Sequence, residues 1–292
     1  CPYPNPESPD ALKIGLEWCE KTGADLLIAT DPDSDRLGVV AKKGDKYERL
    51  NGNEVGILLL EYILRCRKAA GTLPEHPVTV RTIVSTSMVD RIAEAYGVEV
   101  IQTLTGFKWI GEQIGKLEQA GEEDRYVFGF EESCGYLIGS YVRDKDAVGA
   151  AMMFCEMADT YKAEGKTVWD ALDDLYAKYG HYETTLKTYE FNGAEADKRM
   201  AQIREGLNSP EGMKFGGSKV VRYKDYKDGV DGLPASNVLQ MWMEDGSEAV
   251  IRPSGTEPLI RVMVEAGLLD TAERVTGFLT QTVENLQKSS EK

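Results

Sequence analysis

From Val78 onward short apolar runs alternate with amphipathic ones, and this alternation restricts the fold more than any other feature of the chain. TVRTIVS, VEVIQTL and RYVFGF read as strands; segments from Ser87 to Tyr96, from Trp109 to Ala120 and a long one after Asp146 read as helices. Strands that are almost wholly apolar and separated by helices point to a sheet covered on both faces, an α/β unit with parallel pairing. Within the stretches Asp146 to Glu164 and Val168 to Tyr179, Met152, Cys155 and Ala158, and then Trp169, Leu172, Leu175 and Tyr176, recur at helical spacing and are assigned to core packing.

Upstream, Ser8, Pro9 and Asp10 resemble a helix start, with Leu12, Leu16 and Cys19 on one face and an end near Gly23. A strand ADLLIAT, an acidic loop, the stretch LGVVAK, a polar turn from Lys43 to Lys46 and an apolar run from Val55 to Leu64 follow. Two strands and two helices cannot close both faces of a parallel sheet, so this part reads as the back half of an α/β domain. Beyond Gly180 strands dominate, and a capping box of Asp270 and Glu273 introduces a last helix with Val275, Phe278, Leu279, Val283 and Leu286 on one face. The expected fold class is therefore α/β: partial and then complete three-layer α/β domains with mixed or parallel sheets, followed by an α+β C-terminal domain, divided as 1–76, 77–180 and 181–292. The opening CPYPNPESPD, without an initiator Met, suggests numbering that starts inside a longer protein.

A length of 292 residues exceeds the common single-domain range of about 100–200 and implies two or three domains. Lys plus Arg at 34 against Asp plus Glu at 49 leaves a net charge of −15, which argues against a nucleic-acid or anionic-membrane partner. Any anion must then be held by a local site. Five scattered cysteines without a CxxC pair suggest neither a disulfide framework nor a zinc cluster, and make a reducing cytoplasm the expected location. His76 and His181 are each isolated, and no apolar run nears the roughly 18 residues of a membrane span. Nothing in the sequence sets an oligomeric state.

Five short segments carry chemistry. IRPSGTEPLIRV at 251–262 places Arg252, Arg261, Ser254 and Thr256 around a Gly255 turn between apolar stretches, a set of donors suited to a phosphate. DPDSDR puts Asp31, Asp33 and Asp35 at alternate positions after an apolar strand; such crowding of carboxylates repels itself unless a hard cation such as Mg²⁺ or Ca²⁺ neutralises it. An EF-hand is rejected, since its sixth and twelfth loop positions here hold Arg36 and Lys42 instead of Gly and Glu. GFEESCGYL offers Glu131 and Ser133 beyond the end of a strand, where open α/β sheets bind ligands; a loop with Glu132 merely solvated fits the same residues. RDKD sets Lys145 before a helix, and TGFK makes Thr105, Gly106 and Lys108 a strand-to-helix turn.

In the order DPDSDR, TGFK, GFEES with RDKD, and RPSGTEP, running over essentially the whole chain, these segments resemble the α-D-phosphohexomutase family of phosphoglucomutases and phosphomannomutases. The resemblance implies four domains around a cleft and transfer of a phosphoryl group between O1 and O6 of a hexose, with Mg²⁺ as cofactor and hexose 1,6-bisphosphate as intermediate and activator. It implies that Asp31, Asp33 and Asp35 bind Mg²⁺, that Glu131 and Ser133 bind the sugar's hydroxyls, and that Arg252, Ser254, Gly255 and Thr256 hold the phosphate not being transferred. Lys145 matches a lysine that contacts substrate and assists proton transfer; Arg36 joins it as a catalytic candidate, Thr105, Gly106 and Lys108 as substrate contacts, and Arg261 is added from charge and proximity. The family's phosphoryl-carrying serine lies in a Thr-Ala-Ser-His-Asn-Pro type loop that does not occur here, so the expected partners are a phosphorylated sugar and an N-terminal domain of the same protein, and the isolated chain is expected not to turn over. The Glu131-Glu132-Ser133 form resembles phosphoglucomutase, with phosphomannomutase or phosphopentomutase activity open. A non-catalytic phosphosugar-binding protein and a haloacid-dehalogenase-like phosphatase are the alternatives from other classes, the latter without the later acidic motif that such enzymes use.

Overall fold

Pro9 at the first helical turn and Gly23 in the left-handed region, φ 70°, bound helix α1 (Pro9–Thr22), whose Leu12 and Cys19 pack inward. The computed structural model describes residues 3–190, 195–254 and 259–289, with the side chains of Val283 and 286–289 outside that description, and the chain divides into two units, Cys1–Gly180 and His181–Lys292.

In the first unit α1 leads into β1 (Leu26–Thr30), β2 (Leu37–Lys43) and β3 (Lys46–Leu50), an antiparallel meander in that order. The connection 31–36 is too short for a crossover, so pairing opposite to the expected parallel sense follows directly. β3 shows no strand period in the residues, because KYERL buries only its last residue and has the charged character of an edge strand.

Asn51 then caps α2 (Gly52–Ala69) with a complete capping box to Glu54. From Val55 to Leu64 this helix is buried on every side, which requires neighbours all round. They come from a four-stranded sheet of order β5-β4-β6-β7 and its helices: β4 (Val78–Thr82), α3 (Met88–Tyr96), β5 (Glu99–Thr103), α4 (Phe107–Gln119), β6 (Tyr126–Glu131), β7 (Gly135–Leu137), α5 (Ala147–Ala163) and α6 (Val168–Tyr179). β4 pairs in parallel with β5 and β6, while β7 returns antiparallel to β6. Helix α2 packs on β6, α3, α5 and α6, so the boundary expected at 76/77 lies inside this unit. In α5 the core face is Ala150, Phe154, Met157 and Tyr161; Met152 and Cys155, assigned to the core from sequence, are exposed, because both stripes satisfy the same three-and-four spacing.

The second unit is a six-stranded antiparallel sheet in the order β8 (Glu183–Glu190), β13 (Leu259–Ala266), β12 (Glu248–Pro253), β11 (Leu239–Met243), β10 (Ser218–Asp225), β9 (Lys214–Phe215), with α7 (Glu195–Gly206) and α8 (Leu269–Ser289). Its core joins Met200 and Ile203 of α7, Val275 and Leu279 of α8, and Met241, Ile251, Ile260, Val262 and Val264 of the sheet. Phe278, placed with the buried stripe from sequence, is half exposed, and the side chains of Val283 and Leu286 fall outside the described residues. Among the described residues no helix is long and apolar enough to cross a membrane.

Candidate active site

The β1–β2 connection folds around Asp31. Its Oδ1 accepts the backbone N–H groups of Asp35 and Arg36 at 3.1 and 3.0 Å, while Ser34 takes a left-handed φ of 57°. The turn brings carboxylate oxygens of Asp31, Asp33 and Asp35 within 4.8 Å of one another. Two cations face them: Arg36 Nε lies 3.9 Å from both Asp31 and Asp35, and Lys145 Nζ lies 3.0 Å from Asp35 Oδ2. Burial disfavours the charged form of Asp31, but the Arg36 and Asp35 backbone donors, a hydrogen bond from the Asp35 side chain and the charge of Arg36 together outweigh it and hold this carboxyl below its usual value. Burial raises Asp35, Lys145 opposes the rise, and the neighbouring Asp31 adds to it. Asp35 Oδ1 is buried without a hydrogen-bond partner. An oxygen-only donor set with a surplus of negative charge and one orphaned buried oxygen fits a hard divalent cation.

Lys145 reaches Asp35 because its loop is stitched to both neighbours. Asp146 caps α5 by accepting from Val148 and Gly149 at 3.0 Å, its own N–H donates to Tyr136 O at 2.8 Å, and the Ala147 N–H donates to Ser34 O at 3.1 Å. The loop 131–135 is tied in by Leu37 N–H, which donates to Cys134 O at 2.9 Å. A Cβ at Gly135 would lie 2.3 Å from Lys145 Cδ, so a larger residue there would displace the lysine side chain. Glu131, at the end of β6, is pushed up to about 7, by burial first and then by the charge of Glu132, with Lys145 and Arg36 pulling the other way. Ser133 is half-buried, and Glu132 accepts from Thr82 Oγ1 at 3.3 Å. In the TGFK turn Gly106 adopts φ 108° as the residue before α4, Thr105 is half-buried, and the Lys145 ammonium lies 5.8 Å from the Phe107 ring centroid. Lys108 is exposed beside the Trp109 ring, at 4.8 Å.

In the second unit the RPSGTEP segment connects β12 to β13. Arg252 and Arg261 are direct cross-strand partners, so both side chains stand on one face, opposite to that of core residues Ile251, Ile260 and Val262. The Ser254 N–H donates to Leu259 O at 2.8 Å and closes the base of the loop. Like charges directly opposed across strands repel, an arrangement suited to a dianionic ligand. Gly255 and Thr256 lie outside the described residues.

Three family models match successive parts of the chain: phosphoglucomutase/phosphomannomutase alpha/beta/alpha domain II over residues 1–44, alpha/beta/alpha domain III over 51–179, and the C-terminal domain over 162–280. The chain belongs to the α-D-phosphohexomutase family. A phosphoglucomutase of Staphylococcus aureus (strain MSSA476) is 35% identical over 290 residues, covering 94% of this chain and 51% of that protein. The chain thus spans about half the length of the curated relatives it matches. Among solved structures, parafusin (phosphoglucomutase) from Paramecium in an open form gives a TM-score of 0.67 at 19% identity, covering 98% of this chain and 50% of that one. An Aspergillus fumigatus N-acetylphosphoglucosamine mutase in complex with GlcNAc-6P and magnesium gives 0.55 at 15% identity over 93% of this chain and 52% of that one. These two likenesses concern the fold.

The change between family models falls at 44–51, ahead of α2, in keeping with the packing of that helix on the four-stranded sheet. Four neighbours of the site were missed from sequence: Phe107 under Lys145, Gly52, and the hydroxyls of Thr82 and Ser85. Only Gly52, directly behind the Asn51 cap, carried a signal, since glycine costs stability inside a helix and so implies a close approach. A Cβ at Gly52 would lie 1.9 Å from Glu132 O.

Proposed function

We propose that this chain forms the metal, sugar and distal-phosphate sites of a Mg²⁺-dependent phosphoglucomutase-type enzyme that interconverts hexose 1-phosphate and hexose 6-phosphate through a bisphosphorylated sugar. The observation that carries the reading is the convergence of Asp31, Asp33, Asp35 and Lys145 beside the 131–135 loop. The sugar preference rests on the Glu131-Glu132-Ser133 form and on the likeness to the S. aureus phosphoglucomutase. The choice of Mg²⁺ rests on the all-carboxylate donor set, and magnesium is present in the related Aspergillus structure.

Asp31, Asp33 and Asp35 would hold the ion, which when bound neutralises phosphoryl charge and polarises the leaving oxygen. Burial tends to strip Lys145 of its proton, but the Asp35 bond and the charges of Glu131 and Asp144 outweigh it and keep the ammonium protonated. It can therefore donate to a sugar oxygen, and its position at the metal loop puts that donor next to the reacting end. Arg36 neutralises the remaining carboxylate charge. Glu131 and Ser133 orient the sugar's hydroxyls. Arg252, Ser254 and Arg261, with the family loop's Gly255 and Thr256, grip the phosphate that is not transferred; such a grip serves either end of the hexose, which lets the sugar turn around between steps. The serine that carries the phosphoryl group is proposed to lie outside these residues, in the same cytoplasmic protein.

The test is turnover by the full-length protein. Conversion of glucose 1-phosphate to glucose 6-phosphate that needs Mg²⁺ and exceeds mannose 1-phosphate conversion supports the reading. Release of inorganic phosphate without isomerisation selects the phosphatase alternative. Tight binding of glucose 1-phosphate with no chemistry selects the binding-protein alternative.

A further inference from the structure

Thr82 ends the central parallel strand of the four-stranded sheet, fully buried, and its hydroxyl lies beneath the loop that begins at Glu131. Thr82 Oγ1 accepts the N–H groups of Val84 at 3.3 Å and Ser85 at 3.1 Å, which occupies both lone pairs and leaves its proton to give. Two acceptors are in reach, Ser85 Oγ at 3.0 Å and Glu132 Oε2 at 3.3 Å. Ser85 Oγ has its own acceptor in Phe130 O at 3.4 Å and takes the Thr82 N–H at 3.4 Å, so the carboxylate, the stronger acceptor, claims the Thr82 proton. The other oxygen of the same carboxylate accepts from Ser133 Oγ at 3.4 Å. The backbone of Glu132 is pinned as well, with Gly52 packed on its carbonyl and Tyr136 OH donating to Gly52 O at 3.1 Å.

We infer that Glu132 is a positioning residue, held from below by Thr82, which fixes the Ser133 hydroxyl so that its lone pairs accept from a sugar hydroxyl while its proton is committed to the Glu132 carboxylate. Without Glu132 the Ser133 rotor is free, and it presents donor and acceptor to the sugar indiscriminately. The inference rests on the proposal that Glu131 and Ser133 bind the sugar.

Thr82→Val, Thr82→Ser and Glu132→Gln in the full-length enzyme test it, with the unmodified enzyme as control. Loss of one hydrogen bond to a charged group corresponds to about a tenfold change. Thr82→Val and Glu132→Gln should each raise KM for hexose 1-phosphate about tenfold with kcat changed less than about twofold, and Thr82→Ser should restore KM. A KM unchanged in both Thr82→Val and Glu132→Gln, or loss in Thr82→Val that Thr82→Ser fails to restore, overturns the positioning role. An unmodified enzyme that leaves hexose phosphates unchanged sinks the functional reading instead.

Discussion

Lys145 Nζ stands 3.0 Å from Asp35 Oδ2 with both side chains largely buried, so the lysine of one loop neutralises a carboxylate of the other. The bond joins the connection of an antiparallel hairpin to the segment that opens α5, and it is the shortest of the three ion pairs that the two cations make with Asp31 and Asp35. Lys145→Met should therefore destabilise the metal-free protein by about 1.5–3 kcal/mol, the cost of unpairing a partly buried charged hydrogen bond. Mg²⁺ should recover more stability in the variant than in the unmodified chain, because it then supplies the only strong counter-charge to Asp35 besides Arg36. Denaturant titration with and without Mg²⁺ checks both parts, and equal Mg²⁺ effects in the two proteins would refute the second.

Asp33 is the exposed member of the carboxylate cluster. Asp33→Asn should leave metal-free stability within about 0.5 kcal/mol, as for most surface substitutions, while reducing the stabilisation gained from Mg²⁺. Melting curves across a Mg²⁺ series measure this, and an undiminished Mg²⁺ response would remove Asp33 from the ligand set.

Glu131 titrates about 7 in the folded chain, above the roughly 4.3 of an unfolded glutamate. The folded state therefore binds the additional proton, so the contribution of Glu131 to stability is fully present below about 4.3 and is lost as pH rises through about 7. Glu131→Gln should abolish that part of the pH dependence and make the chain more stable than its parent at pH near 8, while weakening sugar binding. Denaturation midpoints between pH 4 and 8 are the measurement; a parallel pair of curves would contradict the raised value.

Arg252 and Arg261 face each other across β12 and β13. In the full-length enzyme Arg252→Ala should raise KM for both hexose 1-phosphate and hexose 6-phosphate about 10–100-fold, with the smaller change in kcat, the pattern of lost binding common to ground and transition states. Steady-state kinetics in both directions decide it, and a defect confined to one direction would assign Arg252 to the transferred phosphate.

A methyl group at Gly52 would overlap the Glu132 carbonyl oxygen at 1.9 Å, and backbone on both sides leaves it nowhere to go. Gly52→Ala should cost about 1–3 kcal/mol, the usual range for overpacking, and should raise KM through the displaced 131–135 loop. Chemical denaturation and kinetics together test it; a variant as stable as its parent would show that α2 can shift freely.

Much of this was legible in the residues alone. The alternation after Val78, the carboxylates of DPDSDR, the Ser133 and Glu131 pair and the two arginines around Gly255 are local patterns, and a strand period, a helix period or a crowding of like charges is written in neighbouring positions. Tertiary structure decided what local pattern leaves degenerate. Met152 with Cys155 and Phe154 with Met157 fit one helical spacing equally, and only the sheet beneath α5 selects the second pair. KYERL lacks an apolar period and becomes β3 by pairing with β2. The salt bridge from Lys145 to Asp35, the carboxylate of Glu132 over Thr82 and the register that opposes Arg252 to Arg261 each join residues distant in the chain or set by strand register. Such contacts depend on how whole elements pack and where their loops end. The sequence supplies the groups that would bind metal, sugar and phosphate; the packing of α2, α5 and the two hairpins sets which of them meet.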